Sequence, residues 1–551
     1  MLHCFGRTAR TVTVLAALLP AAASAAVVQV SDNDIQPGQS VTWTADNTYV
    51  LNGFVFVDEG ATLTIEAGTV VKGKPGQGES ASALIVARGG RIDAQGTAAS
   101  PVIFTAEADD VASPSDLPRD ARGLWGGVIL LGRARLNSSP GETPIEGIPT
   151  TEPRGMYGGT DDADNSGVLR YVSIRHGGTD IGAGNEINGL TMGAIGAGTT
   201  IEYVEVYNNQ DDGFEFFGGT VNTRYLISAF NGDDAFDYDE GFRGQGQFWF
   251  AIQDAETGNR GAEQDGGTTP EDGQPYAIPQ IYNATYIGSG MASANADNDL
   301  AMIMRDNAGG RYYNSIFTDF PLRAVGVEDL ASGEDSRLRL EAGDLVLANN
   351  LWWDFGAGST FAELAPQFVA AHLTANNNRI ADPQLAGISR ANDGRLDPRP
   401  SPAGPAYTGL ASVPSDGFLQ SVAYAGAFGS TLWPAGWSFL SQSGMLAAQA
   451  TVVAEEAWVE AVVPAAAALA QNSPNPFNPS TTIIYSLPAS GPVRLTVFDG
   501  LGQHVATLVD GVRPAGTYEV RLEAADLASG RYYYRLQTPA GALSRGMVLL
   551  K

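Results

Sequence analysis

The feature that most limits how this chain can fold is a self-similarity of 22 residues. The string Ile201-Glu202-Tyr203-Val204-Glu205-Val206-Tyr207, with Asn209-Gln210-Asp211-Asp212-Gly213-Phe214-Glu215-Phe216 after it, lines up with the chain 22 residues on. There Tyr225-Leu226-Ile227 stands for Tyr203-Val204-Glu205, and Asn231-Gly232-Asp233-Asp234-Ala235-Phe236-Asp237-Tyr238 stands for 209–216. A third copy begins at Phe248-Trp249-Phe250, and an earlier one, carrying an insertion, begins at Tyr171-Val172-Ser173. A copy of this length holds two or three short strands and their turns, too little to close a core alone. Stacking the copies buries one continuous core, and that arrangement is a parallel β-helix. Across 47–360, short strings of Val, Ile, Phe and Tyr alternate with Gly, Asn and Asp without a sustained 3.6-residue period, so the region reads as all-β.

At 551 residues the chain exceeds what one core usually supports, and two or more domains are expected. Residues 1–25 read as a secretory signal: Arg7 and Arg10, an apolar run over 12–19, then Ala23-Ser24-Ala25 before a cleavage point at Ala26. Export, to the cell surface or beyond, is therefore the expected destination. No later stretch reaches the roughly 20 continuous apolar residues of a membrane span, because Glu455, Glu456 and Glu460 break the Ala-rich segment 449–470. The only cysteine, Cys4, lies inside the leader, so the stability of the exported chain rests on packing or bound ions rather than disulfides. Losing the leader moves the formal net charge from -29 to -31 and leaves three lysines, Lys72, Lys74 and Lys551. So acidic a chain sets nucleic acid aside as a partner.

The string from Gly53-Phe54-Val55-Phe56-Val57 to Gly68-Thr69-Val70-Val71 alternates within each strand and places glycine at the corners. It resembles the opening coils of secreted proteins of the pectate-lyase-like superfamily, which implies a right-handed parallel β-helix, here over 26–440 with end caps. The block Gly123-Leu124-Trp125-Gly126-Gly127 and the run 145–290 are similar to secreted β-helix proteins of Bacteroidota-like bacteria, a resemblance that implies no particular reaction. Asp416-Gly417-Phe418 through Trp433-Pro434-Ala435-Gly436-Trp437 resembles the closing section of such helices, whose aromatics would cover the last coil. Residues 441–471 read as an Ala-rich linker with some helical character.

In 472–551, alternating strings separated by Gly-bearing turns, with prolines blocking edge pairing, predict a small Ig-like antiparallel β-sandwich. Asn475-Pro476-Phe477-Asn478-Pro479, Val497-Phe498-Asp499, Leu501-Gly502-Gln503, Gly516-Thr517-Tyr518, Leu527-Ala528-Ser529-Gly530 and the ending Met547-Val548-Leu549-Leu550-Lys551 resemble the type A sorting domain of the type IX secretion system. That resemblance implies recognition by the outer-membrane secretion machinery, usually followed by removal of the domain.

Aligning the copies stacks acid on acid. Asp211 falls over Asp233, Asp212 over Asp234 and Glu215 over Asp237, and a 26-residue offset then places Glu263 beyond Asp237 and Asp265 beyond Asp239. Coils lie about 4.8 Å apart, so each column sets like charges against one another unless protons or a cation intervene. Asp212, Glu215, Asp234, Asp237, Asp239, Glu263 and Asp265 are the candidate ligands, and oxygen donors at this density, with Asn209 and Asn231 nearby, suit calcium.

Two other readings stand beside calcium at this stage. The acids can point outward or accept backbone N–H groups in turns, because a register slip of one residue sends a side chain to the opposite face. Alternatively, Asp211, Asp212, Asp233, Asp234 and Asp237 form a groove that cleaves polysaccharide, with His176 and Arg243 as basic partners and Arg175, Arg260 and Arg305 also at hand. The aspartates loosely resemble those of polygalacturonase-like β-helices, but the Gly-His-Gly and Arg-Ile-Lys segments of those enzymes are missing. His176, His372 and His504 are scattered, which gives no zinc-type cluster, and Gly193-Ala194-Ile195-Gly196-Ala197-Gly198 reads as a coil corner rather than a phosphate loop. Phe214, Phe216, Phe236, Tyr238, Phe248 and Trp249 are expected to stack in the core. The functional expectation is an extracellular β-helix that binds or presents a glycan or a surface partner; a lyase or hydrolase, or a structural adhesion component, are the alternatives.

Overall fold

In the computed structural model, residues 26–551 are described except 182–185, 268, 403, 448–452, 461–463, 501–503, 525–526, 528 and 540. Strands make up 41% of the described residues and helix 7%, and most strands pair in parallel, as a β-helix requires. The coils stack into three faces. The first face holds strands such as Ser40–Trp43, Thr62–Ile65 and Arg91–Gln95; the second holds Asn47–Leu51, Val70–Gly73 and Val102–Ala106. The four long strands Gly167–Arg175, Thr200–Tyr207, Asn222–Ala229 and Gln245–Ile252 bend across the corner and serve both faces. The third face is a nine-stranded sheet that runs from Phe54–Val57 to Arg323–Val327.

The 22-residue period is the pairing register itself. Thr200 faces Asn222, Tyr207 faces Ala229, and Phe214 faces Phe236 on the next coil. Inward positions stack like on like: Phe214 on Phe236 with ring centroids 5.3 Å apart, and Phe236 on Trp249 at 4.6 Å. Five of the six aromatics expected to stack in the core, Phe214, Phe216, Phe236, Tyr238 and Trp249, are in it, whereas Phe248 packs in a separate cluster on the outer side of the second face. At the corner between the first and second faces, Tyr171, Tyr203, Tyr225 and Phe248 take φ between 49° and 60°, a region bulky residues seldom enter. Ring stacking at 4.3–4.8 Å from coil to coil offsets that cost. Later coils put Asn283, Asn314 and Asn349 at this corner, and asparagine tolerates the left-handed conformation.

The helices Phe361–Leu364 and Gln367–Ala375 close the end of the core, setting Leu364, Val369 and Leu373 in the same cluster as Trp352 and Phe355. The aromatic segment expected to cover the last coil does something else. It turns back and lies along the outside of the second face as a strap: Asn283 Nδ2 donates to Tyr424 O at 2.7 Å, and Trp437 meets the rings of Tyr171 and Tyr203 edge-on. The physical reason is that the second face is apolar on its outer side. Ile227, Ala229, Phe250 and Ile252 point away from the core and are buried only because Phe428, Leu432, Trp437, Phe439 and Leu440 cover them.

The C-terminal unit is an antiparallel sandwich of two four-stranded sheets around Phe477, Ile483, Leu495, Val520, Tyr534 and Met547. The stretch taken as a linker is partly built into it: Val453–Glu460 pairs with Gly516–Glu523, and Ala468–Leu469 pairs with Ser480–Leu487. Val453, Trp458 and Val459 are residues that favour strands, and the alanines around them hide that signal in the sequence. Among the described residues no helix is long and apolar enough to cross a membrane. The proposed leader, 1–25, lies outside the described residues.

Candidate functional site: an acidic column on the third face

Outward positions of the third face form one unbroken column. Phe56 pairs with Ile85, Ile85 with Ile129, Ile129 with Thr191, Thr191 with Glu215, Glu215 with Asp237, Asp237 with Glu263, and Glu263 with Ile303. Its first part is apolar and lies beneath an excursion that brings Ile145, Ile148 and Tyr157 down onto it. Its middle is three carboxylates in a row. The adjacent outward positions change in the same way, from Leu131, Gly193 and Phe217 to Asp239.

The turn before each third-face strand adds the paired aspartates. Asp212 accepts the N–H of Asp234 at 2.8 Å, and Asp234 accepts the N–H of Arg260 on the following coil. Asn209 is held in the same ladder: its N–H reaches Asn231 Oδ1 at 2.8 Å, and its Nδ2 reaches Asp212 O at 2.9 Å. One oxygen of each buried aspartate therefore ties coil to coil, as the turn reading anticipated. The remaining oxygens converge. Asp211, Asp212 and Asp233 each bring one carboxylate oxygen within 4.8 Å of the others, and Asp212, Glu215 and Asp237 do the same, so Asp212 belongs to both groups.

These acids are short of positive partners. Asp237 Oδ1 is buried without a donor. Glu215 shares the Asn188 amide with Glu146, whose Oε1 lies 2.8 Å from Nδ2. Burial, followed by the charges of Glu146, Glu186 and Asp233, pushes the Asp211 carboxyl up to about 8. Burial raises Asp212, Glu215, Asp234 and Asp237 well above the carboxylate range, with neighbouring acids adding to it. Asp239 goes up to about 7, chiefly from burial. Such shifts mean that the ionised column needs either protons or a cation.

The predicted residues do not all join the cluster. Glu263 pairs with Arg260 at 2.5 Å and also with Arg305, and Asp265 pairs with Arg305 at 2.8 Å, so this end of the column is neutralised by arginine. Asp239 accepts the N–H of Glu240 at 2.5 Å. Arg243 turns away to Asp162 at 3.1 Å and to Gly241 O at 2.6 Å. His176 sits beyond the second face, its Nδ1 2.8 Å from Ala121 O and its ring edge-on to Tyr207 and Phe439. Neither Arg243 nor His176 forms an ion pair with the column: Arg243 lies past the corner that follows the third-face strand Phe236–Asp239, and His176 follows the second-face end of Gly167–Arg175. Arg175 is buried against Ser173, Gln442 and the Phe439 ring. Sequence reasoning missed Glu146, which arrives from an excursion outside the repeat and carries no periodic signal, and Asn188, which stands two residues before Leu190 as Asp212 stands before Phe214 and so lies one coil before Asp212 in the same stack.

A family model described as a pectate-lyase like beta helix domain matches residues 35–376. No curated protein and no solved structure matches the chain.

Proposed function

The chain belongs to the pectate-lyase-like β-helix family, and from that premise we propose that it is an exported, surface-held or secreted β-helix whose acidic column binds calcium and, through it, an extracellular glycan. The observation that carries this reading is the pair of oxygen clusters sharing Asp212, with the buried Asp237 Oδ1 left without a donor. A buried carboxylate oxygen with no partner costs several kcal/mol on the usual scale, and a hard cation removes that cost by accepting oxygens in flexible geometry. Glycans with carboxylate groups suit such a site, since a cation between two carboxylates joins protein to ligand. Export through the leader at 1–25 and delivery to the type IX machinery by the C-terminal sandwich belong to the same proposal; the motifs of 475–479 and 547–551 support it.

Hydrolysis by inversion finds less support. Inverting hydrolysis needs carboxyls about 6.5–9.5 Å apart with room for water, whereas these oxygens lie within 4.8 Å. The test is thermal unfolding of the full exported chain in EDTA and in millimolar calcium, together with retention on immobilised acidic and neutral polysaccharides. Calcium-dependent stabilisation with calcium-dependent retention on the acidic polymer is expected. Stabilisation that Asp212→Asn leaves untouched, or retention indifferent to EDTA, overturns it.

A further inference from the structure

A second group of carboxylates stands apart from the column, where the last coils meet an excursion of the chain. Asp306 follows the third-face strand Leu300–Arg305, and Glu328 follows Arg323–Val327 on the next coil. They are 22 residues apart, and Asp306 N donates to Glu328 Oε2 at 3.0 Å. Glu271 comes from the loop between the strands Ala262–Asp265 and Gln280–Tyr282. Each of the three brings a carboxylate oxygen within 4.8 Å of the others.

Two further observations point to a ligand. Asn307, 1% exposed, donates through Nδ2 to Glu271 O at 3.1 Å, which sets its amide against the loop that carries Glu271; its Oδ1 is buried with no donor. Glu271 Oε1 is likewise buried and without a donor. The nearby arginines are engaged elsewhere, Arg305 with Asp265 at 2.8 Å and Arg339 with Glu334 at 2.7 Å. Burial pushes Glu271, Asp306 and Glu328 all upward; the charges of Asp306 and Asp335 add to it on Glu271 and Glu328, and on Asp306 Asp265 adds while Arg305 opposes. Three converging carboxylate oxygens, with an unpartnered buried amide oxygen on the residue that follows Asp306 and bonds the Glu271 loop, make a donor set for a hard divalent ion, with water completing the six to eight oxygens that calcium takes.

We propose that Glu271, Asp306, Glu328 and the Asn307 amide oxygen form a calcium site that clamps the 269–276 loop onto the last coils of the β-helix. The site is separate from the acidic column and stands whether or not the column binds a glycan. Its test is the calcium stoichiometry of the full chain by equilibrium dialysis, read beside limited proteolysis in the 269–276 loop. Glu328→Gln and Glu271→Gln are each expected to lose one bound ion, and calcium should then protect the loop at least tenfold less than in the parent chain. Asp212→Asn should keep the loop protection. Glu271 lies on the excursion rather than in a coil, so Glu271→Gln keeps the test valid if Glu328→Gln fails to fold. An unchanged stoichiometry in Glu271→Gln, or loop cleavage equally slow in EDTA and calcium, overturns the proposal.

Discussion

The outer sides of the second and third faces are built on the same coils, yet one is sealed and the other carries charge. On the second face the outward column passes from Ser173 to Glu205 to Ile227 to Phe250, and the strap covers it. On the third face the column on those coils reads Thr191, Glu215, Asp237 and Glu263. The single acid in the second-face stretch, Glu205, is fully buried and fully used: it accepts Ser173 Oγ at 2.6 Å, Phe439 N at 2.6 Å and Leu440 N at 3.2 Å. Asp237, by contrast, keeps an oxygen with no donor. An enclosed carboxylate surrounded by N–H and O–H groups is structural, whereas a row of carboxylates facing one another is incomplete without something positive.

The most damaging way to break this contrast is Glu205→Ala. It removes the acceptor for two strap amides and leaves Arg175, 1% exposed, without the strongest of the negative charges that act on it. Stranding one member of a buried charged network costs about 3 kcal/mol. A denaturant midpoint lowered accordingly, with calcium making no difference to the loss, is the expected outcome. A loss under about 1 kcal/mol, the range of exposed pairs, would mean the strap is held by its aromatics alone.

Asp237→Asn should do the opposite in one solvent and the same in another. In EDTA it relieves repulsion from Asp265, Glu263 and Asp234, so the variant should melt higher than the parent. In calcium at a hundred times the dissociation constant the parent gains about 2.7 kcal/mol, and the variant should forfeit most of it. Melting curves that shift equally in both solvents would remove the distinction between the two faces.

The column also sets the pH response. Carboxyls raised in the folded state bind protons there that the unfolded chain has released, so stability is greatest near the ordinary carboxylate value and declines as pH rises through the folded one. With Asp211 up to about 8 and Asp239 to about 7, calcium-free protein should lose stability steadily between pH 4 and 8. Calcium should flatten that slope by stabilising the ionised forms. Denaturant midpoints taken across this range, with and without EDTA, decide it; two parallel slopes would place the titrating acids away from any ion.

Much of this contrast was legible in the sequence, and its limits have physical causes. The repeat gave the register because a 22-residue coil stacks residue on residue: Tyr203 over Tyr225 and Glu215 over Asp237 follow from counting alone. Counting does not reveal what covers a face. The Trp433-to-Trp437 segment reads as an end cap because aromatics seek apolar surface, but the second face offered more of it than the last coil, which two helices already closed. Arg243 and His176 lie away from the column for a related reason. A residue a few positions from an acid in a coil lies around a corner from it, so proximity in sequence is distance across the prism. Glu146 enters from an excursion, which obeys no period, whereas Asn188-Gly189-Leu190 stacks on Asp212-Gly213-Phe214 and was open to counting.

The mildest change draws the remaining boundary, between charge that is enclosed and charge that is merely present. Arg133 and Glu59 form an ion pair at 2.6 Å with side chains 41% and 74% exposed. Water solvates both partners in the folded and unfolded states alike, and holding two long side chains together costs entropy, so such pairs contribute about 0–1 kcal/mol and fade with salt. Glu59→Ala should therefore move the denaturant midpoint by less than about 0.5 kcal/mol, a shift that half-molar sodium chloride erases and calcium does not touch. A larger, salt-resistant loss would show that charges on this half of the third face are coupled to the column through Arg133, and that the acidic site extends beneath the excursion carrying Ile145 and Tyr157.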